Sequence, residues 1–301
     1  TIDTLIGIGD VVRFTAVAHD PGGSLVPGVT FAWSTSNAAV ATVDHTGTVF
    51  AQGNGTATIT ATAAGGAAAS ATFTSARIAA RLSMQFPFSI PASPMSIASD
   101  GAAYFVMDGG TSPSQINEYD LAGNFVASVA VPLDSRALLF DPVGRSFYAK
   151  QYGVSSLDWY RVDPLSGATS VVLSGIFSFT QSSPGLAPDQ STIYEHQLGT
   201  VRLLNFSSGA LSGTLTGVTA GTNASGDGNA IATDGQWLYT WDETTATVFV
   251  SDMAGRLVTS FVLPAGSGFN GYSLSFANGM LWVASNPAAG SEWFGFELSR
   301  Q

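Results

Sequence analysis

The sequence holds no cysteine, and Lys150 is its single lysine among 301 residues. Without thiols, neither a disulfide framework nor a thiolate metal site can form. Lys and Arg together number 10 against 21 Asp and Glu, so the net charge is −11 and there is no basic footprint for nucleic acid or anionic lipid. Charged residues make up 10% of the chain, against about 25% in an average globular protein. No run of 18 apolar residues is present, so no helical membrane insertion is expected. The opening "TIDTLIGIGD" lacks the basic and apolar regions of a secretory signal. The scarcity of Lys and Glu points to export, and a signal would then have been removed ahead of Thr1.

What the chain has instead is apolar residues (45%), 34 glycines and 19 phenylalanines, enough for buried cores and against disorder. Its length suits one large domain or two. Period-two runs such as "VVRFTAVA" (11–18), "TATITATA" (56–63), "SATFTSA" (70–76) and "ATVFVSD" (246–252) read as strands, separated by Gly, Pro, Asn and Asp clusters. Helical periodicity is nearly absent. The fold class is all-β.

In the first quarter, turns at "DPGG", "DHTG", "QGNG" and "AAGG" fall at the regular spacing of a small two-sheet sandwich, with Trp33 expected in the middle of its core. "GDVVRFTAVA", "VTFAWSTSNAAVATVD" and "GNGTATITATA" closely resemble the bacterial immunoglobulin-like domain of group 2. The resemblance covers residues 1 to about 76 and departs from the family's W-S-S core only at Thr35. It implies an extracellular or surface module, used as a spacer or adhesive repeat, and does not imply an enzyme.

From residue 95 the sequence repeats. "SIASDGAAYFVMD", "LLFDPVGRSFYAK", "GLAPDQSTIYEHQ", "AIATDGQWLYTWD" and "SLSFANGMLWVAS" share one template of small apolar strand, turn and aromatic strand. A second motif follows the first four and places Gly123, Gly167, Gly209 and Gly255 roughly 44 residues apart, the period of propeller blades. The fifth unit lacks a last strand, and "ARLSMQFPFS" (80–89) has no repeat of its own. The expected architecture is therefore an immunoglobulin-like sandwich over 1–78 and a five-bladed β-propeller over 79–301, closed by an N-terminal strand at about 80–89. The blade pattern resembles the NHL and YncE-like propellers of bacterial surface proteins. That likeness implies a fold and no function.

Most acids have a local explanation. Asp100, Asp141, Asp189 and Asp234 recur at the first turn of each unit, and Asp120, Asp163 and Asp252 at the second, where a carboxylate caps turn amides. The exceptions sit where the second strand of a unit ends. Asp108, Glu195, Trp241 and Asp242, with Tyr152, form the candidate ligand face, which Asp134 and Asp227 share, and His196 and Glu243 lie beside them. Two carboxylates about 5 to 9.5 Å apart would serve glycoside hydrolysis. Zinc-protease, nucleophile-elbow, phosphate-loop and EF-hand motifs are absent, so no cofactor or metal is expected.

Three functions remain open. The first is a non-enzymatic extracellular structural protein that assembles into a filament, sheath or surface layer. The second is a cell-surface recognition module binding a glycan or protein through the propeller face. The third is a glycan-active enzyme. For the first, the family's leading strand is reduced here to "TID", which leaves a sheet edge open. The segment Thr1, Ile2, Asp3, Thr4, Leu5, Ile6 is then expected to contact a neighbouring copy head to tail, or else to fold back on its own sandwich.

Overall fold

The computed structural model describes residues 5–6, 11–53, 55–75, 78–87, 93–110, 112–153, 157–221, 230–263, 269–285 and 292–300. The chain divides into two compact units, residues 1–79 with 299–301, and residues 80–298.

The first unit holds β1 (Leu5–Ile6), β2 (Val11–Arg13), β3 (Ala18–His19), β4 (Leu25–Val26), β5 (Phe31–Thr35), β6 (Ala41–Val43), β7 (Thr48–Ala51), β8 (Gly55–Ala63) and β9 (Ala68–Ser75). They form a sheet ordered β1-β9-β8-β5, a sheet ordered β2-β7-β6 and the hairpin β3-β4. Alternation in "GTATITATA" places Ala57, Ile59 and Ala61 on the buried face. There they meet Val49 and Phe73, both 0% exposed. Trp33 does not occupy the centre. It lies on the edge strand β5 and packs, half-buried, against the side of that core. Leu5 and Ile6 pair in parallel with Thr74 and Ser75 of the same chain. Over these two residues the segment lies on its own sandwich, and Thr1–Thr4 fall outside the described residues.

Among the described residues, the second unit contains five four-stranded sheets. Sheet one is β11 (Ser93–Ser99), β12 (Ala103–Gly109), β13 (Ser114–Asp120) and β14 (Phe125–Val131). Sheet two is β15 (Ser135–Asp141), β16 (Ser146–Gln151), β17 (Trp159–Val162) and β18 (Thr169–Leu173). Sheet three is β19 (Gly185–Leu186), β20 (Thr192–Gln197), β21 (Thr200–Asn205) and β22 (Leu211–Thr216). Sheet four is β23 (Ala232–Thr233), β24 (Leu238–Asp242), β25 (Thr247–Ser251) and β26 (Leu257–Val262). Sheet five joins β27 (Ser275–Ala277), β28 (Met280–Ala284) and β29 (Glu292–Arg300) to β10 (Ile78–Pro87), which is its outer strand. First strands of successive sheets lie side by side: β11 with β15, β15 with β19, β19 with β23, and β23 with β27. β11 lies against β27 as well.

Apolar layers join neighbouring sheets. Phe105 meets Phe147 edge-on at 4.7 Å between sheets one and two. Tyr148 and Trp159 pack with Ile193 and Leu204 between two and three. Phe86 of β10 meets Tyr119 at 4.7 Å and Trp282 at 5.6 Å, between sheets one and five. The spaced glycines belong to the same packing. Gly167, at φ +71°, faces the backbone of Ala130 so closely that a Cβ would lie 2.1 Å from its carbonyl oxygen. Gly123 faces Phe86 in the same way, Gly209 faces Ile176, and Gly255 faces Val218. The 44-residue period thus records a turn of one sheet pressed on the outer strand, or the chain just after it, of the sheet before.

Candidate functional site

The turn carboxylates behave as local chemistry dictates. Asp100 accepts the N–H of Ala102 at 2.8 Å, Asp120 those of Ala122 and Asn124 at 2.9 Å, Asp189 that of Ser191 at 2.9 Å and Asp234 that of Gln236 at 2.8 Å. Hydrogen bonds from Asn124, and from Ser191, hold Asp120 and Asp189 below the usual carboxylate range.

The candidate face residues part company. Tyr152 follows β16 and is half-buried, and the Arg136 guanidinium lies 4.1 Å from the centre of its ring. The Tyr152 N–H donates to the Asp134 carbonyl at 2.7 Å. Arg136, buried at the start of β15, donates to the Asp134 carboxylate and, through Nε, to Gln181 Oε1 at 3.2 Å. Asp134 also accepts the Gly110 N–H at 3.1 Å. Asp134, Tyr152 and Gln181 are each partly open to solvent. The four form a polar platform with an aromatic ring, a carboxylate, an amide and a guanidinium.

Behind that platform lies a buried ionic cluster. Glu195 is 0% exposed, pairs with Arg202, and accepts the N–H groups of Ser178 (3.0 Å) and Phe179 (2.8 Å) and the Ser182 hydroxyl (3.2 Å). Lys150, also 0% exposed, donates to the carbonyls of Phe179, Thr180 and Ser182 and to Ser182 Oγ. Burial pushes the Lys150 pKa down to about 7, against the pull of Glu195. Glu195 therefore holds a loop and is not an open ligand group.

The other expected residues have surroundings of their own. Asp108 lies near the end of β12, 7% exposed, with no partner for Oδ1 among the described residues, and burial raises its pKa to about 6 although the Ser93 N–H opposes the shift. Trp241 is fully buried, with Nε1 donating to the Gly271 carbonyl at 3.2 Å and its ring 5.8 Å from Phe269. Asp242 is half-buried and caps its own turn, accepting the Thr244 N–H at 2.9 Å and the Thr244 hydroxyl. Burial opposes ionisation there, yet these bonds keep its pKa below the ordinary value. Buried His196 accepts the Gly199 N–H through Nε2 at 3.1 Å. Asp227 lies outside the described residues. Among the described residues, no three His, Asp or Glu side chains are placed to hold a metal.

Sequence reading missed Arg136 and Gln181, which meet across 45 residues. A faint signal existed for Lys150, the only charged residue within the run "SFYAKQ" of β16. A second feature is a cavity of about 180 Å³ lined by residues in or next to each sheet of the second unit, through Ser99, Phe140, Pro188, Thr233 and Asn278 among others.

The family model of the intimin immunoglobulin-like domain matches residues 27–65. The N-terminal unit is thus an immunoglobulin-like domain, matched by the intimin model where the sequence itself resembled group 2. No curated protein matches the chain. Among solved structures, it is similar to glutaminyl cyclase of Myxococcus xanthus, at 12% identity over 75% of this chain and 99% of that one, with a TM-score of 0.53. It is also similar to a nidogen/laminin complex, at 15% identity over 68% and 76% with a TM-score of 0.44. A Bacteroides thetaiotaomicron protein of unknown function aligns over 97% and 96% at 12% identity and a TM-score of 0.45. At these identities the first comparison speaks to fold alone, and the other two carry no argument.

Proposed function

We propose that this chain is a non-enzymatic module of the cell exterior, an immunoglobulin-like sandwich of the group 2 kind carrying a closed five-bladed propeller, and that the propeller binds an uncharged glycan at the Asp134–Arg136–Tyr152–Gln181 platform. Closure is supported by the contacts of β11 with both β15 and β27 and by β10 completing the sheet that holds β29. Location outside the cell is supported by the sparse charge and the intimin-type domain match.

The observation that carries the glycan reading is the Arg136 guanidinium stacked on Tyr152 with Asp134 and Gln181 at its edge. Adjacent sugar hydroxyls both donate and accept, which suits a partly open carboxylate beside an amide, both held by the buried Arg136. The apolar face of a sugar ring suits a tyrosine ring. Asp134 neutralises Arg136, and the net charge of −11 disfavours acidic glycans. Recognition is favoured over hydrolysis because both oxygens of Glu195 are taken up internally and Asp242 caps its own turn. It is favoured over a head-to-tail filament because Leu5 and Ile6 pair with the chain's own β9.

A glycan array probed with the full chain, beside Tyr152→Ala and Gln181→Ala, tests the proposal. Wild type should bind uncharged glycans, and each variant should lose at least about tenfold in affinity with an unchanged melting temperature, as expected for central polar and aromatic contacts. A wild type that binds no glycan, or variants that bind as well, would overturn it.

A further inference from the structure

Residues Phe177 to Ser182 form neither helix nor strand, yet their backbone is ordered around two buried charges. Carbonyl oxygens of Phe179, Thr180 and Ser182 lie 2.6, 3.0 and 2.8 Å from Lys150 Nζ, and Ser182 Oγ completes the set at 2.8 Å. Four oxygens around one nitrogen suit an ammonium. A neutral amine has two N–H groups, and its lone pair would face a carbonyl oxygen. On the other side of the segment, the amides of Ser178 and Phe179 converge on Glu195. The ring centre of Phe177 lies 5.4 Å from Lys150 Nζ. Without these ions, a segment with so many inward polar groups would leave several of them unsatisfied.

We infer that the segment 177–182 is a cage for a monovalent cation of the primary ammonium class, with the Lys150 side chain as its built-in occupant and Glu195 as the anchor of its amides. Its consequence for the proposed glycan site, which rests on that reading, is that Lys150 and Glu195 are positioning residues. They fix the loop that presents Gln181 to Arg136. Truncating Lys150 to alanine removes a group the size of propylammonium and leaves the oxygen cage empty beside Glu195, which keeps Arg202 as its partner. Propylammonium from solution should refill it.

The test is hydrogen exchange at the Ser178 and Phe179 amides of the full chain, measured without glycan. Lys150→Ala should speed exchange there by at least about tenfold, since one lost ionic anchor is worth more than a tenfold change in local opening. Propylammonium chloride should restore slow exchange, and tetramethylammonium chloride at equal ionic strength should not. Lys150→Met, which keeps the bulk of the stem, and Glu195→Gln should each speed the same two amides. Unchanged exchange in these variants, or equal effects of the two ammonium salts on Lys150→Ala, would overturn the cage. The measurement stands apart from glycan binding, so a failure of the glycan reading leaves it intact.

Discussion

Asp108 and the turn aspartates show how the same side chain acquires opposite pH behaviour. In the turns, the carboxylate is met by amides two residues on, a relation set by local sequence alone, which is why those roles are legible without a structure. At the end of β12, desolvation dominates. A folded-state pKa of about 6, above the ordinary 3.8, means that the native state binds the proton more tightly. Its cost is therefore full above about pH 6 and fades as pH falls toward about 4. Asp108→Asn should raise stability at pH 7 by on the order of 1 to 2 kcal/mol, allowing for water at its rim. The gain over wild type should vanish near pH 4, as chemical denaturation at the two pH values would show. A gain that grows toward pH 4 would mean that Asp108 is held ionised. Arg136 and Gln181 were not legible, because their meeting depends on how sheets two and three face each other and no local pattern encodes that.

Strands were the most legible elements, since alternation and turn residues are written in short windows. Their centre of packing was less so. Trp33, the largest residue of the sandwich, lies at an edge strand while Phe73 and Val49 fill the middle. Side-chain size is visible in sequence, but the position of a strand within its sheet is not. The glycine period was visible without its cause, which is the approach of one sheet's turn to its neighbour's outer strand. That cause yields a graded prediction. Gly167→Ala should cost about 3 kcal/mol or more, combining a positive φ with a Cβ set 2.1 Å from the Ala130 carbonyl oxygen. Gly217→Ala, at φ +74° with nothing within 4 Å, should cost about 1 kcal/mol. Equal losses on urea denaturation would show that the close approach contributes nothing.

At the scale of the whole chain, an acidic molecule holds three of its ten Lys and Arg residues where they bind carboxylates, carbonyls or rings: Lys150 and Arg202 at the buried loop, Arg136 at the platform. The platform is built from sheet two and the segments that join it to sheets one and three, so its geometry depends on how the sheets are held together. The boundary between the two units falls within β10, whose first two residues group with the sandwich and whose remainder is the outer strand beside β29. In sequence, this strand stood out because it matched no repeat. Packing gives it a role, with Phe86 set between Tyr119 of sheet one and Trp282 of sheet five. The most direct measurement compares the thermal unfolding of residues 77–301 with that of 93–301, followed through the near-ultraviolet ellipticity of buried tryptophans such as Trp282 and Trp293. A ring closed by β10 predicts one cooperative transition for the longer chain and none for the shorter. Equal melting of the two would contradict it.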